Sequence, residues 1–183
     1  MSTFFTADTH FGHAKATGYY QPNGSKLRPW AEVEQHDRAL IENWNSVVDI
    51  HDTVYHIGDV YDTTIIRLPN WMESLNGKKI LVKGNLDIAP TEEYLQYFEE
   101  VYDELHTIAI GETVALLTHN YMPIDFIKEH GCSLNIHGHL HADSVPNAHY
   151  FCVSLERTNF APIRDIELLN QLKENQLIYS KII

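Results

Sequence analysis

Metal-binding residue types stand directly after short apolar runs at several places along the chain. In chain order they are Asp8, His10, Asp59, Asn85, His119, His139 and His141. Carboxylate oxygens, an amide carbonyl and imidazole nitrogens together suit Mn, Fe, Zn, Co or Ni, whereas a softer ion would favour thiolates. These residue types therefore predict a site for divalent cations.

Two features of this set indicate a pair of cations. His139 and His141 are separated by one residue, and alternate side chains of an extended chain point to the same face. The carboxylate of Asp59 has two oxygens, which is enough to bridge two ions. Two cations roughly 3.5 to 4 Å apart can generate hydroxide at neutral pH and neutralise a phosphoryl group from both sides. The predicted chemistry is hydrolysis at phosphorus.

The apolar runs that precede these residues predict β-strands, because they are short and rich in β-branched and aromatic residues. The predicted strands are residues 3–7, 54–57, 79–83, 107–110, 114–117, 134–136 and 150–153. Ligands of α/β folds gather at the carboxyl ends of strands. The loops that carry the candidate ligands are therefore expected to converge on one site.

Longer amphipathic stretches between the strands predict helices. The clearest spans 33–48, between Pro29 and Asp52, and shorter helices are expected at 65–75, 92–97 and 163–173. The glycine- and asparagine-containing stretch 11–28 is expected to be a surface loop. This alternation of strands and helices favours an α/β domain over a helical bundle or an all-β sandwich.

Length and charge restrict the functions that the chain can have. Its 183 residues, 44% of them hydrophobic, predict a single domain spanning residues 1–183. A net charge of -12 disfavours long nucleic acid as a partner, because phosphate binding along a duplex needs a basic stripe. Small phosphorylated substrates, including nucleotides, remain compatible, because bound cations make the local potential positive.

Features of secretion and membrane insertion are not apparent in the sequence. The first ten residues lack a basic region and an apolar signal-peptide run, and no stretch approaches the roughly 20 apolar residues of a membrane helix. Cys132 and Cys152 are too few for a disulfide framework and are expected to be reduced thiols. We therefore expect a cytoplasmic protein with no membrane partner.

Taken together, the motifs resemble those of the calcineurin-like metallophosphoesterase superfamily, most closely its small stand-alone bacterial and phage-type members. The matching segments are D-T-H at 8–10, G-D at 58–59, G-N-L-D at 84–87, H-N at 119–120 and G-H-L-H at 138–141. They occur in family order and cover nearly the whole chain. F-G-H at 11–13 and R-P at 28–29 extend the match to the small members.

The resemblance implies a fold, a ligand set and a reaction. The family fold has two facing mixed β-sheets flanked by helices, a four-layer α/β/β/α sandwich. Asp8, His10 and His141 would hold one metal and Asn85, His119 and His139 the other, with Asp59 bridging them. Family members hydrolyse phosphodiesters, phosphomonoesters or nucleotide anhydrides with a metal-bound hydroxide, and Mn is the first expectation here, followed by Fe, Zn, Ni or Co.

One position departs from the family pattern. Leu86 replaces a histidine that in the family assists the leaving oxygen as a general acid, a role usually worth about 10²- to 10⁴-fold in rate. Asp87, which supports that histidine in the family, is still expected at the catalytic site. Three explanations stay open: His13 supplies the proton, the substrate has an activated leaving group, or activity is reduced. A reduced activity would suit a metal-binding scaffold that acts through a protein partner, as the retromer subunit does in this superfamily.

Substrate contacts are expected from polar residues beside the ligands. His13 and Arg28 lie in or next to the loop that follows Asp8, where a guanidinium could make a bidentate phosphate contact. Asn85 and Asn120 could donate to phosphate oxygens. An open single domain slightly favours diesters, since it admits groups on both sides of the phosphorus.

Overall fold

The strands and helices of the chain are given by a computed structural model, which describes residues 1–21, 23–61 and 71–179, with side chains through residue 175. Its strands are β1 Thr3–Thr6, β2 Thr53–His56, β3 Lys78–Val82, β4 Glu100–Tyr102, β5 Leu105–Ile110, β6 Thr113–Thr118, β7 Leu134–His137, β8 Tyr150–Cys152 and β9 Ile163–Arg164. Its helices are α1 Val33–Val47, α2 Trp71–Ser74, α3 Thr91–Tyr94, α4 Ile124–Glu129 and α5 Asp165–Tyr179.

The strands form two mixed sheets. One sheet has five strands in the order β4-β3-β2-β1-β9, parallel except for the pairing of β1 with β9. The other has four strands in the order β5-β6-β7-β8, parallel except for the pairing of β5 with β6. Parallel pairing places the ends of β1, β2 and β3 at one edge, and those of β6 and β7 at one edge of the second sheet.

Successive side chains of a strand supply two different cores, since they point to opposite faces of the sheet. Phe4 packs in a cluster with Leu40 and Trp44 of α1, whereas Phe5 packs with Leu117 and other residues of the four-stranded sheet. Burial of each such side chain is worth about 1.5 to 3 kcal/mol. The first sheet is therefore covered by α1 on one face and by the second sheet on the other.

The outer face of the second sheet carries a smaller core. Leu116 packs there with Ile127 of α4 and Cys132, while its neighbour Leu117 faces the first sheet. Leu168 and Leu172 of α5 join the core between the sheets. The expected fold class, two facing mixed sheets flanked by helices in an α/β/β/α arrangement, is confirmed.

All seven predicted strands are confirmed, with ends shifted by one or two residues. The prediction of a helix from 163 is wrong at its start, because residues 163–164 form β9 against β1 and α5 begins at Asp165. Three short elements were not predicted: strands β4 and β9 and helix α4. They have two to six residues, which is too few to show a hydrophobic period. Most of the helix predicted at 65–75 lies outside the described residues.

The stretch 11–28 is more ordered than a plain loop. It contains a 3-10 helix at Ala14–Gly18 and an antiparallel bridge between Tyr20 and Lys26. Thr17 and Ala16 are buried in it. Within the described ranges, none of the helices has both the length and the apolar character required to cross a bilayer.

His56, at the end of β2, makes stability depend on pH. Its ring is fully buried; Nε2 lies 2.9 Å from the Thr9 hydroxyl, which itself donates to the Val60 carbonyl. Burial, reinforced by the charge of His119, lowers the pKa of His56 to about 3. The unfolded chain therefore binds this proton more readily, and stability is lost as the pH falls from about 6.5 towards 3.

We expect His56→Gln to reduce the acid sensitivity of the metal-free protein. Between pH 8 and pH 5 this histidine alone should cost about 2 kcal/mol of unfolding free energy, which the glutamine variant would not lose. Urea unfolding in EDTA at both pH values measures the difference. Equal losses in the wild type and His56→Gln would show that His56 is not the source.

Candidate metal centre

The predicted ligands converge because every one of them follows a strand that ends at the same edge of the sandwich. Backbone hydrogen bonds tie their loops together: the N–H of Asp8 donates to Gly58 at 2.9 Å, and that of His10 to Asp59 at 3.0 Å. The N–H of Gly138 donates to the carbonyl of His119 at 3.0 Å. The site is therefore built from loops of both sheets.

Five of the predicted ligands have left-handed backbone conformations. Their φ angles are 59° at Asp8, 47° at His10, 57° at Asp59, 66° at His139 and 52° at His141. This region is sparsely populated by residues other than glycine, and each instance costs of order 1 to 3 kcal/mol unless the surroundings impose it. Strain of this kind concentrates at functional sites, where it directs side chains into the site.

Glycines next to the ligands allow the loops to touch. A Cβ on Gly58 would lie 2.5 Å from the backbone nitrogen of Gly84, and one on Gly84 would lie 2.3 Å from Oδ1 of Asp59. A Cβ on Gly138 would lie 2.7 Å from Oδ2 of Asp8. The glycine in each sequence motif is thus required by the close approach of a neighbouring ligand loop.

The ligands fall into two groups that could each hold a metal ion. The first metal group consists of Asp8, His10 and His141, and the second metal group of Asp59, His119 and His139. Within each group the potential ligand atoms lie within 4.8 Å of one another. Asn85 is exposed after β3 and lines a cleft beside His119.

Asp59 connects the two groups. Its Oδ2 lies 3.3 Å from Nε2 of His119 and 3.9 Å from Nε2 of His10. Its other oxygen, Oδ1, accepts a hydrogen bond from the N–H of Leu86 at 2.9 Å. A single carboxylate oxygen therefore faces ligands of both groups, an arrangement that is compatible with a bridging role.

Several atoms that face the centre of the site are buried without a hydrogen-bond partner among the described residues: Asp8 Oδ1, His10 Nε2 and His119 Nε2. In Asp8 and His119 the second polar atom of the side chain is already hydrogen-bonded to the protein. Asp8 Oδ2 accepts from the His139 N–H at 2.9 Å and from the Ser154 hydroxyl at 2.7 Å. His119 Nδ1 donates to the Ile57 carbonyl at 2.8 Å, which leaves Nε2 to bind a cation. Buried polar atoms without partners are costly, and divalent cations would satisfy all three.

The electrostatics of the site favour positive charge. Burial opposes ionisation of Asp59, but the adjacent His119 imidazole prevails and lowers the pKa of Asp59 to about 2. Burial likewise opposes protonation of His119, yet the carboxylates of Asp59 and Asp8 raise its pKa to about 9. Burial raises the pKa of Asp8, and burial together with the charge of Arg28 lowers that of His10. A cation entering the second metal group would displace the proton of His119.

The expected substrate contacts lie in different places. His13 is half-buried beside the first metal group, with its ring centroid 5.5 Å from that of His10. Asn120 is exposed and lines the same cleft as Asn85, which encloses about 270 Å³ and also borders Lys83 and Met122. These three polar side chains, His13, Asn85 and Asn120, remain compatible with substrate binding.

Arg28 does not face the cleft. Its side chain is 0% exposed and donates to the backbone carbonyls of Asp8 and Thr9, while Nε pairs with Glu156 at 2.8 Å. The prediction that Arg28 binds substrate is therefore wrong, because its donors are directed at the protein behind the ligands.

Asp87 is also committed to the protein. Its carboxylate accepts from the backbone N–H groups of Asp59 at 2.7 Å, Val60 at 3.0 Å and Gly84 at 2.8 Å. It is buried, and burial raises its pKa. The expected catalytic role does not fit this position, since Asp87 holds the loop of Asp59 in place instead of facing the cleft.

Leu86 projects at the edge of the site. Its backbone N–H binds Asp59, as described above, and its side chain remains 39% exposed. Ile88, two residues later, is 76% exposed. At the position where the resemblance implies a histidine, the protein therefore presents a partly exposed apolar side chain.

Three polar residues behind the site were not predicted from the sequence. Ser154 donates to Asp8, and Glu156 accepts from His141, while His36 contacts Arg28 at 2.7 Å. Ser154 follows β8, so its position after a strand is a signal of the same kind as that of the predicted ligands. Glu156 and His36 carry no comparable signal in the sequence.

Comparisons with known proteins extend over most of the chain. No protein-family model matches it. An uncharacterized protein of Methanocaldococcus jannaschii is 28% identical over 185 residues, covering 93% of this chain and 90% of that protein. The crystal structure of a protein of unknown function from Aquifex aeolicus is 25% identical and has a TM-score of 0.75, covering 93% of this chain and 98% of the other.

A further solved structure, described as that of a novel archaeal phosphodiesterase, is 21% identical and has a TM-score of 0.49, covering 84% of this chain and 82% of the other. The likeness to the Aquifex aeolicus protein shows that the two chains share their fold.

Proposed function

We propose that this protein is a dinuclear-metal-dependent phosphoric ester hydrolase of the calcineurin-like metallophosphoesterase superfamily. The observation that carries the proposal is Oδ2 of Asp59, which faces ligands of both metal groups. Buried ligand atoms in both groups that lack a hydrogen-bond partner within the described part of the chain support it. The motif order along the chain supports the family assignment independently of the geometry.

Each residue of the site has a task in this proposal. The first metal group would hold one cation, the second metal group with Asn85 would hold the other, and Asp59 would serve both. When bound, two divalent cations supply Lewis acidity that activates water and neutralises phosphoryl charge. Mixed nitrogen and oxygen ligands suit Mn, our first expectation, as well as Fe, Zn, Ni or Co.

The surroundings of the site support a small phosphorylated substrate. Asn85 and Asn120 line the cleft of about 270 Å³ beside the second metal group, and His13 lies beside the first. We assign phosphate contacts to these three side chains. The net charge of -12 disfavours long nucleic acid, and we infer diesters of small molecules or nucleotides as the preferred class.

Leu86 restricts the leaving group. Since its side chain cannot protonate a departing oxygen, substrates with activated leaving groups should react faster than alkyl esters. His13, which lies beside His10, is assigned to the phosphate contact and not to the leaving oxygen.

The proposal predicts Mn²⁺-dependent turnover by the metal-free protein after reconstitution. Bis(4-nitrophenyl) phosphate should be hydrolysed faster than 4-nitrophenyl phosphate, and EDTA should abolish both reactions. Release of 4-nitrophenolate measures the rate, while calorimetric titration counts the bound ions. Absence of turnover with either ester, in protein that binds two ions per chain, would overturn the enzyme proposal.

A second candidate is a metal-binding scaffold with little activity that acts through a protein partner. The observation that favours it is the pair of exposed apolar side chains, Leu86 and Ile88, beside the site. This candidate would be supported if the chain binds two ions tightly and hydrolyses neither ester.

A further inference from the structure

A chain of buried charged and polar side chains lies behind the first metal group. Its centre is the guanidinium of Arg28, which is fully buried. This group donates to the carbonyl oxygens of Asp8 and Thr9 and to Nε2 of His36, and Nε pairs with Glu156. An Arg side chain without solvent contact is rare unless its donors are paired, and here they are directed at the ligand loop.

Glu156 links this guanidinium to a metal ligand. The carboxylate is 3% exposed, and its Oε1 accepts from Arg28 at 2.8 Å and from Nδ1 of His141 at 3.2 Å. The carboxylate is paired with the Arg28 guanidinium, and it fixes the imidazole of His141 with Nε2 turned away from Glu156.

The same series of polar side chains continues through His36 and Asp37 of α1 to the far side of the ligand loop. Nδ1 of His36 lies 2.7 Å from the carboxylate of Asp37, which accepts from the N–H of Gly12 at 3.0 Å. Since Arg28 holds the carbonyls before His10 and Asp37 holds the N–H after it, the loop is fixed on both sides of this ligand. The left-handed conformations of Asp8 and His10 are thereby maintained.

We propose that Glu156 and Arg28 are positioning residues that set the metal affinity of the first metal group. Glu156 acts through His141, and Arg28 acts through Glu156 and the backbone of Asp8. The inference rests on the proposed function, because it assumes that the two groups bind cations. It goes beyond that function by assigning separate control of one of the two sites.

Glu156→Gln tests the role of the carboxylate with little change of shape. The glutamine retains an oxygen that can accept from His141, but it removes the charge that orients and polarises the imidazole. Loss of such an outer partner lowers metal affinity by about 10- to 100-fold. We expect this loss at the first metal group, with the affinity of the second metal group unchanged.

The experiment titrates Mn²⁺ into metal-free wild type and Glu156→Gln by isothermal calorimetry and resolves the two binding steps. Glu167→Gln, an exposed change of the same chemistry on α5, is the matched control. A second comparison uses the single variant His141→Ala and the double variant that also carries Glu156→Gln. It separates an effect of Glu156 on the position of His141 from a general effect on the fold. If Glu156 acts through His141, its substitution should cause no further loss of affinity in the alanine background.

Removal of the charge leaves the buried guanidinium of Arg28 without its carboxylate counter-ion, so folding is monitored by circular dichroism and thermal unfolding in EDTA. If Glu156→Gln does not fold, Glu156→Asp serves as the second variant. It retains the charge but withdraws the carboxylate from His141, so Mn²⁺ binding at the first metal group should weaken likewise. Two unchanged binding steps in the folded variant, or an equal loss in the His141→Ala background, would overturn this inference alone. Failure of the wild type to bind Mn²⁺ would overturn it together with the proposed function.

Discussion

Asp59→Asn should lower Mn²⁺-dependent hydrolysis by about 10²- to 10³-fold, the loss that follows removal of one pre-organised electrostatic group. In the wild type, Oδ1 accepts a hydrogen bond from the Leu86 N–H, and Oδ2 faces ligands of both metal groups. An asparagine has one oxygen. If that oxygen faces Leu86, an NH₂ group faces the two metal groups; if the amide is reversed, the NH₂ group faces the N–H of Leu86.

Either orientation removes one of these contacts, and both remove the negative charge between the two metal groups, so the variant should bind fewer than two ions. Steady-state hydrolysis of bis(4-nitrophenyl) phosphate and calorimetric counting of Mn²⁺ measure the two effects. Asp125→Asn, at an exposed position of α4, makes the same charge change away from the site. Retention of full activity and two ions by Asp59→Asn would contradict a bridging role for this carboxylate.

The sequence predicts those parts of the molecule that follow from local rules. Strand runs such as 134–136 and the helix at 33–48 are visible because a hydrophobic period repeats within a few residues. His139 and His141 could be placed at the site because they follow a strand, and strands of one sheet end at a common edge. These predictions need no knowledge of distant contacts.

The roles of Arg28 and Asp87 could not be predicted in this way. Arg28 was expected to bind phosphate because it lies next to the loop of Asp8, but the ion pair with Glu156, 128 residues later, turns it into the interior. Asp87 was expected at the reaction, but the N–H groups of Asp59 and Val60 occupy its oxygens. Which of two available partners a charged side chain meets depends on packing between segments far apart in sequence.

The position of Leu86 suggests that activity can be raised by restoring an acid. Leu86→His should accelerate hydrolysis of an alkyl diester by about 10²-fold, the lower end of the range for general acid catalysis. The lower end is expected because Asp87, which supports this histidine in the family, already accepts from three backbone N–H groups here. An aryl diester, whose leaving group needs little protonation, should change by much less.

The substitution is well suited to a kinetic test because Leu86 is 39% exposed, and surface changes usually alter stability by less than about 0.5 kcal/mol. Leu86→Asn serves as a matched control, since it adds polarity without a titratable group. Rates for both variants are compared with an alkyl and an aryl diester at saturating Mn²⁺. Equal acceleration of the two substrates by histidine, or the same effect from asparagine, would mean that a missing proton donor does not limit the reaction. A selective gain with the alkyl ester would locate the leaving group beside residue 86 and leave His13, beside the first metal group, to contact the phosphate.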